Sequence, residues 1–113
     1  MATDEITALR ALAHPVRWGI LLRLAAESEI CACDFTDFFE VSQPTISAHL
    51  KVLREADLVT TRRDGSTICY SIVAAELARL GQQLSHMAAT TASKDHAAGR
   101  QADISGATRE AAT

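Results

Sequence analysis

Residues 35–58 read FTDFFEVSQPTISAHLKVLREADL. Within this stretch, residues 44–56 predict an amphipathic helix, because Ile46, Leu50 and Leu53 recur at intervals of four and three residues. The opposite face of the same helix carries small or polar side chains and one base. These residues are Pro44, Ser47, Ala48 and Lys51, with Gln43 and Thr45 beside them at the N-terminal end. The helix therefore has one face for a core and one that can approach a polar surface closely.

A second, phenylalanine-rich helix is predicted just before it. Asp34 is a candidate N-cap for this helix, and Phe35, Phe38 and Phe39 are expected to face the core. Only Val41–Gln43 remain as a turn between the two helices. Two helices joined by so short a turn form a helix-turn-helix.

Two β-rich runs follow at 59–62 and 67–72, separated by Arg63-Asp64-Gly65-Ser66. An Asp-Gly pair between such runs indicates a β-hairpin. Further helices are predicted over 3–13, 15–26 and 74–89, and residues 29–31 predict a short extended segment. This order predicts a winged helix-turn-helix, a mainly α fold with a β-hairpin wing.

The fold is expected to occupy residues 1–89. Residues 90–113 contain one large aliphatic side chain, Ile104, among many Ala, Thr, Ser and Gly. We expect a disordered, low-complexity tail there, with a frayed extension of the last helix as the other option. The chain has no apolar run long enough to span a membrane, and its first residues lack a signal-peptide layout. A cytoplasmic protein is therefore expected.

Charge is distributed unevenly along the chain, although the net charge is only −3. Residues 27–40 hold five acids and no base, whereas residues 42–63 hold four bases and two acids. The distribution of charge matters more than its mean for nucleic-acid binding. The second segment therefore has the basic character that a DNA-binding surface needs.

The helix over residues 44–56 and the hairpin together predict a contact with double-stranded DNA. Gln43 can pair with an adenine edge, and Ser47 can donate or accept a hydrogen bond. His49 either touches DNA at the edge of the helix or packs inside. Basic side chains suited to DNA phosphates are Lys51, Arg54, Arg62 and Arg63. The alternatives are an ordinary solvated helix face or a module that binds proteins.

The chain has three cysteines, Cys31, Cys33 and Cys69. In a reducing compartment we expect a metal, metalloid or redox role for them in preference to a disulfide framework. Thiolates suit soft metals and metalloids, and an i, i+2 pair can share one small ion if the segment tightens. An enzyme is not expected, because no Gly-rich phosphate loop, HExxH or catalytic triad motif occurs, and no organic cofactor is implied.

Four segments together resemble the ArsR/SmtB family of metal-responsive repressors. They are ALAHPVRWGILLRL (11–24), EICACDF (29–35), VSQPTISAHLKVLREADLV (41–59) and RRDGSTICYSI (62–72). The resemblance covers roughly residues 5 to 85. It implies a homodimer formed through the first and last helices, bound to a palindromic operator and released when metal binds.

Within that family, Cys31, Cys33 and Asp34 resemble the arsenic-sensing branch. The resemblance implies that Cys31 and Cys33 bind As(III), with Sb(III) as a second inducer, and that the protein represses an arsenical-resistance operon. A third cysteine often follows in that branch, but Thr36 stands there in this chain. The third ligand is then solvent, a small thiol or Cys69.

Cys69 is expected to point outward and to stay unengaged, because Ile68, Tyr70 and Ile72 form the apolar face of the same strand. Three other roles for the Cys31–Cys33 pair remain open. The acidic flank would favour Cd(II) or Pb(II), the two thiols could act as a redox switch by forming a disulfide with each other, or the pair could be merely structural.

Overall fold

The computed structural model describes residues 4–94, which form a mainly helical chain with one three-stranded antiparallel sheet. Its elements in order are α1 (Glu5–Leu12), α2 (Pro15–Glu27), β1 (Ile30–Cys31), a 3₁₀ helix (Ala32–Asp37), α3 (Gln43–Glu55), β2 (Val59–Asp64), β3 (Thr67–Ile72) and α4 (Ala74–Lys94). The predicted order of elements is confirmed. The bounds differ from the prediction mainly at the 3₁₀ helix and at the end of α4.

Each of the first three α-helices is preceded by a residue whose side chain accepts a hydrogen bond from a backbone amide of the first turn. Asp4 caps α1, His14 caps α2 through Nδ1, and Ser42 caps α3. Such caps satisfy donors that have no partner within the helix. Pro15 and Pro44 lie in the first turns of their helices, where the missing amide proton costs nothing.

The sheet has the order β1-β3-β2, with β3 antiparallel to both neighbours. β2 and β3 form the predicted hairpin around Gly65, whose φ of 66° favours glycine at that position of the loop. Cys69 on β3 lies opposite Cys31 on β1 and opposite Arg62 on β2. These three residues form a row across the sheet at the base of the wing.

The core lies between the helices and one face of the sheet. Ile46, Leu50 and Leu53 on α3 are at most 1% exposed, as their spacing predicted. Ile20 and Leu24 from α2 belong to the same cluster. Because this stripe is buried, the opposite face of α3 is directed away from the core.

The segment before α3 differs from the prediction. It is a 3₁₀ helix that begins at Ala32, so Asp34 lies inside it and does not cap it. Phe35 is fully buried, but Phe38 is 39% exposed and the Arg23 guanidinium lies 3.9 Å above its ring. The expectation that all three phenylalanines are core was therefore wrong for Phe38. Phe38 follows the 3₁₀ helix, which ends at Asp37, so no continuous α-helical spacing holds it on the buried face of Phe35.

α4 continues to Lys94, five residues beyond the predicted end at Ala89. The chain divides into two compact units at Leu80 and Gly81. The part of the predicted tail beyond residue 94 lies outside the described residues. No helix within residues 4–94 is long and apolar enough to cross a membrane.

Candidate nucleic-acid interface and cysteine site

The outer face of α3 presents most of the residues predicted to contact DNA. The predicted contact residues that are exposed on this helix are Pro44, Thr45, Ser47, Ala48, Lys51 and Arg54. Ser42 holds the first turn through its hydrogen bond with the Thr45 amide. The helix is thus fixed at its N-terminal end, the part of a recognition helix from which base contacts are made.

Gln43 does not extend freely from α3. Its side chain is half-buried, and its Nε2 donates a hydrogen bond to the carbonyl oxygen of Ala32 at 3.2 Å. Ala32 lies between Cys31 and Cys33. The first residue of α3 is therefore bonded directly to the segment that carries two cysteines, a link that the sequence did not reveal.

His49 packs toward the junction of α1 and α2. Its Nδ1 lies 3.2 Å from Nη1 of Arg17, and its ring centroid is 4.4 Å from that of His14. Arg17 also donates to the carbonyl oxygen of Ala11. Burial, His14 and Arg17 together lower the pKa of His49 below its usual 6.5. Of the two roles left open for His49, the structure favours the packed one.

The two wing arginines differ in their partners. Arg62 donates two hydrogen bonds to the carboxylate of Glu29, each at 2.9 Å. Arg63 is exposed, and no ion pair joins it to any residue whose side chain is described. Arg62 is thus engaged by a carboxylate, whereas none of the described ion pairs involves Arg63.

Cys31 and Cys69 are joined by a disulfide across β1 and β3. Cys69 is fully buried and disulfide-bonded, so the expectation that it points outward and stays unengaged was wrong. The three cysteines were expected to have a metal, metalloid or redox role in preference to a disulfide framework, and the structure joins two of them. Cys69 does lie outside the main apolar cluster, which Tyr70 and Ile72 contact. It is buried on the other face of β3, where directly opposed residues of the two neighbouring strands flank it.

Cys33 is the free cysteine, and it is exposed in the 3₁₀ helix. Its Sγ lies 3.8 Å from Oδ1 of Asp34, a long contact for a thiol donor. Among the described residues, no three His, Cys, Asp or Glu side chains converge to hold a metal ion. A redox disulfide between Cys31 and Cys33, considered from the sequence, is not the pairing observed.

Two residues important to this region, Glu29 and Arg17, were missed as functional candidates. Glu29 was counted only as one of five acids in its segment, and its partner Arg62 lies 33 residues away. Arg17 is 32 residues from His49. Their roles depend on contacts between distant segments, for which a single sequence has no local signal.

Three comparisons with known proteins agree with this architecture. The model described as "Bacterial regulatory protein, arsR family" matches residues 14–61. The chain is 44% identical over 66 residues to an arsenical resistance operon repressor of Staphylococcus xylosus, covering 58% of this chain and 62% of that relative. It is 37% identical over 83 residues to a biofilm growth-associated repressor of Agrobacterium fabrum, covering 74% and 70%.

A solved ArsR-like transcriptional regulator from Rhodococcus sp. RHA1 aligns with a TM-score of 0.71 at 28% identity, covering 86% of this chain and 90% of that one. The predicted fold and the resemblance are thereby confirmed. The expectation that the protein is not an enzyme is confirmed as well, because the matched model describes regulatory proteins. The helix pair, the wing, the matched family model and the similar repressors all point to one family. The chain belongs to the arsR family of bacterial regulatory proteins.

Proposed function

We propose that this protein is a homodimeric repressor that binds double-stranded operator DNA in the cytoplasm and controls an arsenical-resistance operon. As(III) releases it by binding Cys31 and Cys33, with Cys69 as the third ligand and Sb(III) as a second inducer. The observation that carries the proposal is the register of β1 and β3, which brings Cys69 opposite Cys31, and Cys31 lies two residues before Cys33. The relative from Staphylococcus xylosus, an arsenical resistance operon repressor, supports the same inducer class.

The DNA contact uses the outer face of α3 and the wing. Base edges meet the N-terminal turns of α3, and phosphates meet the basic side chains. The residues of this interface are Gln43, Pro44, Thr45, Ser47, Ala48, Lys51, Arg54, Arg62 and Arg63, with His49 behind them as a packing residue. In a two-fold dimer the two recognition helices enter successive major grooves about 34 Å apart.

The cysteine chemistry fits a soft metalloid when the disulfide is reduced. Thiolate sulfur is the ligand that such ions prefer, and reducing conditions in the cytoplasm supply free thiols. Cys33 must move toward the Cys31–Cys69 pair, since the described side chains hold no preformed three-ligand cluster. That movement changes the 3₁₀ helix beside α3.

Gln43 provides a direct route from the cysteines to the DNA surface. Tightening of residues 31–33 around an ion displaces the Ala32 carbonyl, to which Gln43 is bonded. The first turn of α3 then loses a support that holds it in its DNA-binding position. Binding of the ion and binding of DNA become mutually unfavourable, which is thermodynamic linkage between two sites.

A second candidate is a thiol-redox-responsive repressor of the same fold. The observation that favours it is the Cys31–Cys69 disulfide itself. In this case an oxidant takes two electrons from the two thiols, two protons leave, and the new bond locks β1 to β3. The DNA interface is the same in both candidates, so only the signal differs.

The experiment is fluorescence anisotropy of labelled promoter DNA with the fully reduced protein, titrated with arsenite. We expect stoichiometric release from the wild-type protein, whereas Cys33→Ser should bind DNA with unchanged affinity and resist release. Thr36→Cys is the matched gain variant: residues 33 and 36 are one 3₁₀ turn apart, and the Thr36 hydroxyl donates to the Cys33 carbonyl. It should lower the arsenite concentration needed for release.

Normal arsenite response in Cys33→Ser would show that the ligand assignment is wrong. Release by Cd(II) or Pb(II) but not by arsenite would move the proposal to a divalent inducer. Release by the thiol oxidant diamide in the wild type but not in Cys69→Ser, with no arsenite response, would favour the redox candidate.

A further inference from the structure

Arg62 reaches across the central strand of the sheet to a carboxylate on the far side. Its Nε and Nη2 each donate to a different oxygen of Glu29 at 2.9 Å, so the contact is bidentate. Its remaining ion pair, with Asp64, is longer at 3.9 Å. Glu29 precedes β1 and Arg62 lies in β2, so the ion pair spans β3 between them.

The ion pair lies on the cysteine face of the sheet. Directly opposed residues of antiparallel strands point to the same face, so the side chains of Arg62, Cys69 and Cys31 share one face. Glu29 lies two residues before Cys31 and forms its ion pair with Arg62 on this face. The contact thus connects the wing to the segment that leads into the cysteine site.

Glu29 occupies the Nε/Nη2 edge of the Arg62 guanidinium and neutralises its charge, so a phosphate can take that edge only by displacing the carboxylate. Carboxylate and phosphate can each accept two parallel hydrogen bonds from the same N–H pair, so they compete for it. The pair is also accessible, because the side chains of Arg62 and Glu29 are 56% and 36% exposed. Exposed ion pairs are weak, so a polyanion can compete for the arginine.

We propose that Glu29 is an autoinhibitory carboxylate that competes with DNA phosphate for Arg62. In the free protein Glu29 holds Arg62, and DNA must displace Glu29 before the wing makes its full set of phosphate contacts. Arg63, which no described ion pair engages, makes the first wing contact. This inference rests on the proposed DNA-binding function. It adds that one contact within the protein, between Glu29 and Arg62, opposes the binding of DNA.

Both oxygens of the Glu29 carboxylate accept hydrogen bonds from Arg62, so the contact depends on this one side chain. Replacing Glu29 by Gln removes the carboxylate charge while keeping a side chain of nearly the same shape. Glu27→Gln is the matched control. Glu27 lies two residues before Glu29 and forms another exposed ion pair, with Arg23 on α2. The control therefore also removes one carboxylate from an exposed ion pair.

The test is anisotropy with labelled duplex DNA and reduced protein over a series of salt concentrations. Glu29→Gln is expected to bind about two- to fivefold more tightly per protomer than Glu27→Gln, the range of one exposed ion pair. Its dependence of log affinity on log salt should steepen by up to about one unit per protomer, because Glu29 no longer competes for Arg62 and the arginine stays on phosphate throughout the complex. The double variant Glu29→Gln, Arg62→Ala should bind no more tightly than Arg62→Ala alone.

Equal affinity and equal salt dependence in Glu29→Gln and Glu27→Gln would overturn the inference while leaving DNA binding intact. A gain that persists in the Arg62→Ala background would overturn it too, since the effect would then be general charge. No salt-sensitive binding of duplex DNA by the wild-type protein would overturn the proposed function and, with it, this inference.

Discussion

His49 lies on α3 yet faces the first two helices, where His14 and Arg17 surround its ring. Arg17 holds it in place while also bonding the carbonyl oxygens of Ala11 and Arg10 at the end of α1. The contact between Arg17 and His49 therefore connects α3 to the start of α2. Adding a proton to His49 would place a second positive charge beside Arg17.

This arrangement makes the stability of the protein depend on pH. Because the pKa of His49 is lowered in the folded protein from 6.5, the unfolded chain binds its proton more readily. The stability contribution is complete above the unfolded pKa and is lost as the pH falls from there through the lower folded pKa. The His49→Gln variant keeps an acceptor for Arg17 but has no imidazole to protonate. When the pH is lowered from about 7.5 to about 5.5, its free energy of unfolding should fall by less than that of the wild type. Urea unfolding at both pH values measures this, and identical losses in the two proteins would contradict it.

Several single side chains show where sequence reasoning stops. The buried stripe of α3 followed from spacing alone, and so did the exposed polar face. The engagement of Cys69 and Arg62 did not, because it depends on β1 pairing with β3 and on Glu29 arriving from a distant segment. The alternation of Ile68, Tyr70 and Ile72 correctly indicates the core face of β3, but it carries no information about what covers the other face.

α2 packs closely against the turn that precedes α3. A Cβ built on Gly19 would lie 2.9 Å from a ring atom of Phe39, nearer than real Cβ contacts are found. The absence of a side chain at Gly19 therefore lets Phe39, which packs against the core cluster, approach the helix. Gly19 lowers the helix propensity of α2, but it permits the close contact between α2 and the turn that carries Phe39.

Gly19→Ala should therefore be destabilising in spite of alanine's better helix propensity. Gly81→Ala is the matched control, because a Cβ there meets nothing within 4 Å and the change should stabilise α4 by up to about 1 kcal/mol. We expect Gly19→Ala to be less stable than Gly81→Ala by about 1–3 kcal/mol, the usual cost of overpacking. Thermal and urea unfolding compare the two, and equal stabilisation would mean that Phe39 moves away freely.

The 3₁₀ helix is the element whose type was predicted wrongly. Phe35, Phe38 and Phe39 fit an α-helical face, and nothing in the sequence distinguishes a six-residue 3₁₀ helix from a short α-helix. The difference matters for the site, because the tighter winding places Cys33 at the surface while Cys31 stays in β1. The segment is flanked by β1 and accepts a hydrogen bond from Gln43, and neither contact can be read from its local sequence.

Several large apolar side chains on α1 and α4 are exposed to solvent in the single chain. On α1, Ile6 is 58% and Leu9 38% exposed, and on α4, Leu84 is 47% and Met87 59% exposed. The proposed homodimer joins protomers through these two helices. Folding and association are then coupled, so stability should depend on protein concentration.

The midpoint of thermal unfolding should accordingly rise with protein concentration for the wild type. Ile6→Asp should remove this dependence, because a carboxylate would be buried at the interface. Val52→Asp on α3, where the wild-type side chain is 37% exposed, is the control and should keep it. Calorimetry over a hundredfold range of concentration, supported by sedimentation, measures the effect. A wild-type midpoint that does not move would argue against the dimer.

The hydrogen bond between Gln43 and Ala32 has one more consequence, which concerns how the protein would respond to systematic substitution. The acceptor is a main-chain oxygen, so it is present whichever side chain position 32 carries. A saturation scan would score position 32 as tolerant, although its carbonyl lies between the two cysteines and the DNA surface. The same scan would find Gln43 sensitive and invite the conclusion that it only reads bases. The proposed route from the cysteines to α3 runs through a main-chain oxygen, so a variant map would not show position 32 and would assign the effect of Gln43 substitutions to base reading alone.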